Sequence, residues 1–135
     1  MYSLQRDDSQ CLQEELRSAM QAYNQAHFDT QRIPLGFKFV DENQQLVAGI
    51  TAQVFGNWLM ISWLWCAETA RGHGLATQLL HTIEEHGQQL SAKWAQLDTL
   101  DFQAKPFYEK NGYVVKYQLN NYPLSGTRYF MEKEL

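Results

Sequence analysis

At 135 residues the chain fits one domain, 1–135, and leaves little room for a second. Its apolar fraction of 44% supports a core without staples, while 11 Lys+Arg against 15 Asp+Glu give a net charge of −4. That balance excludes a disordered tail and a basic nucleic-acid binder, and it suits cationic small molecules better than phosphate backbones. Cys11 and Cys66 are far apart with no CxxC spacing, which excludes a disulfide framework and a Cys-rich zinc site. The N-terminus lacks a basic-then-apolar signal pattern, and the longest apolar-rich stretch, 58–67, is about half a membrane span. A cytoplasmic location away from membranes is the expectation.

In chain order, Leu12, Leu16, Ala19, Met20 and Tyr23 form one helical stripe, with Asp8 and Ser9 as candidate N-caps. Residues 25–35 have no clear period, and Pro34 and Gly36 punctuate their end as in a loop or short helix. Phe37 and Phe39 then alternate with Lys38, residues 41–44 read as a turn, and Leu46, Ala48 and Ile50 continue the alternation to Phe55. Gly56-Asn57 turns the chain into the run 58–66 (WLMISWLWC). That run barely alternates, so it predicts a central strand covered on both faces, with most of its tryptophans in the core. Leu79, Leu80, Ile83 and Leu90 restore a helical period, and a short strand is expected over 93–100. A further helix has Pro106 in its first turn and Gly112 at its C-terminal end. Alternation at Tyr113, Val115, Tyr117 and Leu119, then a last strand from 127 to 132, completes α, β-β-β, α, β, α, β, β. The order predicts a mixed α/β layered domain.

The segment 68–77 (ETARGHGLAT) carries the most chemical information. Gly72 and Gly74 permit a turn with inward N–H groups, and no Cβ stands in a ligand's way. A helix starting there offers unpaired N–H donors and a positive dipole end, and Arg71 adds a cation, so the combination can cradle a pyrophosphate. Taken alone, GHG is a common turn, and a structural loop is its more frequent reading. A nucleotide P-loop would need GxxxxGK[ST], and the dinucleotide fingerprint would need a third glycine near Thr77. Neither is present.

Read as R-x-x-G-x-A after a strand, residues 71–76 (RGHGLA) resemble the acyl-CoA pyrophosphate loop of the GCN5-related N-acetyltransferases, the GNAT family. Residues 101–104 (DFQA) and 107–113 (FYEKNGY) are similar to that family's N-x-x-A-x-x-F-Y-x-K-x-G-F segment. The resemblance runs from about Phe37 to the C-terminus and looks like a compact bacterial branch of unassigned acceptor. It implies the GNAT fold: a mixed, mostly antiparallel central sheet, splayed at its middle strands and flanked by helices. It also implies acetyl-CoA as co-substrate, with no metal. Pantetheine would pair with the backbone of Leu64, Trp65 and Cys66, and the amides of Gly72, His73, Gly74, Leu75 and Ala76 would hold the pyrophosphate, with Arg71 shaping the loop. Asp101 stands where the family often has Asn. An ionised Asp donates no hydrogen bond, so Gln103 is the candidate donor to the pantetheine arm. Tyr108 would hydrogen-bond or protonate the departing thiolate.

The resemblance breaks at the general base. Relatives often carry a carboxylate at the positions of Ser62 and Trp63, and here neither side chain is a base. Glu68, Asp98 and Asp101 are candidates by position only. A water-relayed base, an acceptor of low pKa or lost activity would each account for the gap. His81 and His86, five apart, do not share a helical face and suggest no zinc site. Cys66 reads as a buried, inert thiol.

The sequence therefore predicts an acetyl-CoA-dependent N-acetyltransferase. It would act on a primary amine of a small molecule or peptide by direct transfer in a ternary complex. The alternative is a non-catalytic CoA-binding or regulatory module of the same fold. The acceptor depends on residues 25–35, residues 117–127 and a second subunit if the chain forms a homodimer.

Overall fold

Ser9 starts the first helix: its hydroxyl accepts the Leu12 N–H at 3.3 Å, and α1 runs over Gln10–Gln25. The computed structural model describes residues 1–135, in which 1–31 and 32–135 form two units. In the first unit the α1 stripe leaves Leu16, Met20 and Tyr23 more than half exposed.

The second unit holds six strands, β1 (Arg32–Val40), β2 (Leu46–Phe55), β3 (Trp58–Cys66), β4 (Trp94–Leu100), β5 (Val114–Asn120) and β6 (Thr127–Glu134). It also holds α2 (Leu75–Gln89) and α3 (Lys105–Lys110). The sheet order is β1-β2-β3-β4-β6-β5, and every neighbouring pair is antiparallel except β3 and β4. A parallel pair needs a crossover, and α2 supplies it. Its Leu79, Leu80 and Ile83 join Ile50, Val54, Leu59 and Leu97 in one buried cluster. Leu90, expected on that stripe, instead caps the helix end and is exposed.

Two expectations about strands are corrected. The first strand starts at Arg32 rather than Phe37, with Pro34 and Gly36 inside it. As the edge strand, β1 bonds on one side only, so a residue without an N–H is tolerated there. The second correction concerns β3, which is not covered on both faces. Its register against β2 shifts between Ile61 and Trp63, leaving Ser62 as an extra residue. Such a bulge reverses the side-chain phase. Leu59 and Ile61 are buried before it; Trp63 and Trp65 are exposed after it, while Leu64 and Cys66 pack against the core. The apolar run is two alternating half-strands of opposite phase.

A buried polar group ties α2 to the far end of the sheet. Glu84 accepts from the Tyr113 hydroxyl at 2.7 Å and from Lys133 Nζ at 2.9 Å. Burial and the Glu84 charge push the Tyr113 phenol far up, so it remains a donor. Phenylalanine at position 113 would remove that donor and leave a carboxylate oxygen unpaired beside the core. An unsatisfied buried acceptor costs about 1–3 kcal/mol, and Tyr113→Phe is expected to lower unfolding stability by that amount in urea. A change below about 0.5 kcal/mol, the ordinary surface value, would mean that water replaces the hydroxyl.

Candidate active site

The register between β3 and β4 spans only Trp58↔Trp94 to Met60↔Gln96. Beyond it β3, bulged at Ser62, pairs only with β2, and β4 pairs only with β6. The two strands part, and a groove of about 970 Å³ opens between their C-terminal halves, α3 and the loop before α2. That volume matches sites that enclose sizeable ligands.

At one end lies the loop. Gly72 and Gly74 have φ of 82° and 73°, and a Cβ on either would meet nothing within 4 Å. The backbone turn therefore needs glycine, and open space lies beside it. Gln78 is the first residue of α2 whose N–H finds a helix carbonyl, that of Gly74 at 3.0 Å, so the amides of Leu75, Ala76 and Thr77 lack helical partners. Arg71 lines the groove and forms no ion pair within the chain. These are the properties of an anion cradle.

Tyr108 lies further along. Its ring meets Phe107 and Tyr113 edge-on at 5.2 and 5.8 Å, and it also lines the groove. Burial, then the Asp98 charge, pushes its phenol up to about 12, so at neutral pH it is a proton donor. The packed aromatic and the groove-lining phenol are the same residue.

The groove brings together Leu64, Trp65, Cys66, Arg71, Gly72, Gly74, Leu75, Ala76, Gln103 and Tyr108. His73 and Asp101 stand outside its lining. His73 Nδ1 donates to the Ala70 carbonyl at 3.1 Å, turning the ring back onto the short 3-10 turn Glu68–Ala70. Asp101 clamps the start of β6: its N–H donates to Thr127 O at 3.0 Å, and its Oδ2 accepts from Thr127 N at 3.2 Å. Gln103 Oε1 accepts from Leu100 N at 2.8 Å and Thr99 Oγ1 at 3.3 Å, which leaves its amide nitrogen as an available donor. Cys66 is half-buried on the groove rather than enclosed, with Sγ 3.6 Å from the Ala67 carbonyl. Of the carboxylates considered as base, only Asp98 lines the groove.

A family model described as "Acetyltransferase (GNAT) family" matches residues 1–113. The chain belongs to the GNAT acetyltransferase family. It is similar to blasticidin-S acetyltransferase of Streptomyces morookaense, 33% identical over 95 residues that make up 70% of each protein. It superposes on the crystal structure of an acetyltransferase from Bacillus cereus ATCC 14579 with a TM-score of 0.87, at 26% identity over 98% of both chains. It shares the fold of an aminoglycoside 6′-N-acetyltransferase crystallised with coenzyme A (TM-score 0.65, 19% identity, 75% of this chain and 72% of the other). The mixed, mostly antiparallel sheet flanked by helices is the GNAT fold, as the motifs led us to expect. No helix of this GNAT chain is long and apolar enough to cross a membrane. No group of three or more His, Cys, Asp or Glu gathers as metal ligands: His81 bonds Asn111 and His86 bonds the Thr82 carbonyl.

Sequence reasoning missed Arg128 and reached Tyr122 only as part of the 117–127 connection; both also line the groove. Arg128 lies across from Leu100 on β6, and Tyr122 sits in the β5–β6 connection. That connection is closed by Tyr122 N donating to Gly126 O at 2.9 Å, and any Cβ at Gly126 would lie 2.6 Å from Tyr122 O. No local pattern marks Arg128; only strand order brings it beside β4.

Proposed function

We propose that residues 1–135 act as one N-acetyltransferase domain. It moves an acetyl group from acetyl-CoA to the primary amine of a small molecule or peptide by direct transfer in a ternary complex. One observation carries this reading: the loop amides, the unpaired edge of β3 and the Tyr108 phenol all border a single groove. The open space beside Gly72 and Gly74 leaves room for a ligand, and Arg71 and the amides of residues 72–76 would hold a pyrophosphate there. The backbone of Leu64, Trp65 and Cys66 would take pantetheine as an extra strand. Gln103 would donate to the pantetheine arm, since the Asp101 carboxylate already serves Thr127 N–H. Tyr108, kept protonated, would donate to sulfur as the thiolate forms.

The second reading, a non-catalytic CoA-binding module, is favoured by Ser62 and Trp63 at the positions where relatives often carry a carboxylate. An acceptor panel decides between them: blasticidin S, aminoglycosides, polyamines, amino acids and peptides, each with acetyl-CoA, scored by free thiol release. Turnover of an amine with intersecting double-reciprocal lines is expected. Parallel lines would mean a covalent enzyme intermediate, and binding without turnover across the panel would favour the module.

The pH profile is a further expectation. Attack needs the free-base amine, so kcat/KM should rise tenfold per pH unit below the acceptor's own pKa. Tyr108 loses its proton only near 12, above the ordinary phenol value of about 10, so activity should hold through about pH 10. A decline centred near pH 8 in stopped-flow assays would remove Tyr108 as the acid.

A further inference from the structure

The missing carboxylate on β3 has a counterpart on β4. Asp98 faces outward between buried Leu97 and Thr99, on the strand that forms the opposite wall of the splay. Arg128 holds it in an unusual way for a paired carboxylate. Nε at 2.9 Å and Nη2 at 2.8 Å both donate to Oδ2, and the structure gives Oδ1 no partner. Arg128 is itself fixed, its guanidinium carbon 5.0 Å from the Phe130 ring centre and 5.4 Å from that of Tyr122, with Nη1 3.4 Å from the Tyr122 hydroxyl. The hydrogen bond to Asp98 raises the Arg128 guanidinium further above its ordinary value. Asp98 lines the groove with Tyr108 and is close enough that its charge acts on the phenol. Trp63, 77% exposed, stands on the facing strand just past the bulge.

We propose that Asp98 is the catalytic base of this site: its Oδ1 receives the attacking amine, and Arg128 is the positioning residue that fixes the carboxylate by Oδ2. This rests on the acetyl-transfer reading above and gives the acid–base pair its second member. Asp98 Oδ1 takes one N–H proton from the free-base amine as the C–N bond forms. Tyr108 gives its hydroxyl proton to sulfur as the C–S bond breaks and its electron pair goes to sulfur. Asp98 then returns its proton to the Tyr108 phenolate through solvent, and both groups are restored with no net gain or loss of protons. The acceptor meets a carboxylate and an exposed indole, a combination that suits an amine on a cationic or flat ring body better than an anionic one.

Asp98→Asn keeps an oxygen for Arg128 and removes the base. With the amine that wild type acetylates fastest in the panel, kcat should fall 10²–10⁴-fold while calorimetry gives an unchanged acetyl-CoA affinity. In Asp98→Ala, added formate or acetate should restore turnover. Acetate, the stronger base, should act better despite its size, whereas a carboxylate that merely refills space would favour formate. A kcat loss below tenfold in Asp98→Asn, a loss seen only in acetyl-CoA affinity, or rescue that follows size rather than basicity would each overturn the assignment. Wild type that acetylates no amine fails the transfer reading itself, and the assignment with it. Active wild type with indifferent variants fails the assignment alone.

Discussion

Valine in place of Gly74 is expected to abolish acetyl-CoA binding while the chain stays folded. Gly74 sits at φ 73° as the residue that opens α2, and a β-branched side chain there strains the backbone by about 1–3 kcal/mol. The added atoms meet nothing of the protein within 4 Å of the Cβ position, so the fold itself is not obstructed. They would enter the space beside the amides of Leu75, Ala76 and Thr77, where the pyrophosphate is proposed to lie. Calorimetry with acetyl-CoA and with a 3′,5′-diphosphate fragment should give no heat for the variant and clear heat for wild type, with the circular dichroism spectrum unchanged. Gly74→Ala, smaller but sharing the positive φ, should fall between them. If Gly74→Val binds acetyl-CoA as wild type does, the loop is structural and the central functional claim is lost.

Removing one oxygen from Tyr108 is expected to lower turnover as far as Asp98→Asn does. The ring that packs against Phe107 and Tyr113 survives in Tyr108→Phe, so stability and acetyl-CoA affinity should change little. The hydroxyl matters only as charge develops on sulfur, and an interaction made only in the transition state lowers kcat and kcat/KM together. A general-acid contribution is typically about 10²–10⁴-fold. A loss below about tenfold would return Tyr108 to the core as a packing residue. Asp98 supplies an internal control, because its charge contributes to the raised phenol. In Asp98→Asn the Tyr108 titration, followed by ultraviolet absorbance, should move down toward the ordinary value.

Local sequence determined more of this protein than its size would suggest. Ser9, the Gly56-Asn57 turn, Pro106 and Gly112 act within a few residues of themselves, and each marks an element boundary in the structure. The glycines, cation and helix start of the loop 71–76 are legible for the same reason, because they are contiguous in the sequence. The α2 stripe over Leu79, Leu80 and Ile83 and the order of elements along the chain also follow from periodicity.

What the tertiary structure decided is of another kind. The apolar run of β3 looked like a strand covered on both faces, because periodicity assumes constant phase. One extra residue at Ser62 breaks that phase, and only the register against β2 reveals it. With the bulge known, the run separates into a buried half and a half that turns Trp63 and Trp65 outward at the mouth of the splay. Pro34 read as an end to structure because its cost depends on whether a strand is central or at an edge, a property of sheet order. The pairing of Asp98 with Arg128, thirty residues apart, exists because β6 inserts between β4 and β5. Chain order would have left β5 in that place. Single-residue chemistry and short-range turns are local and can be read from letters, whereas phase, edge status and cross-strand partners come only from how the strands are laid side by side.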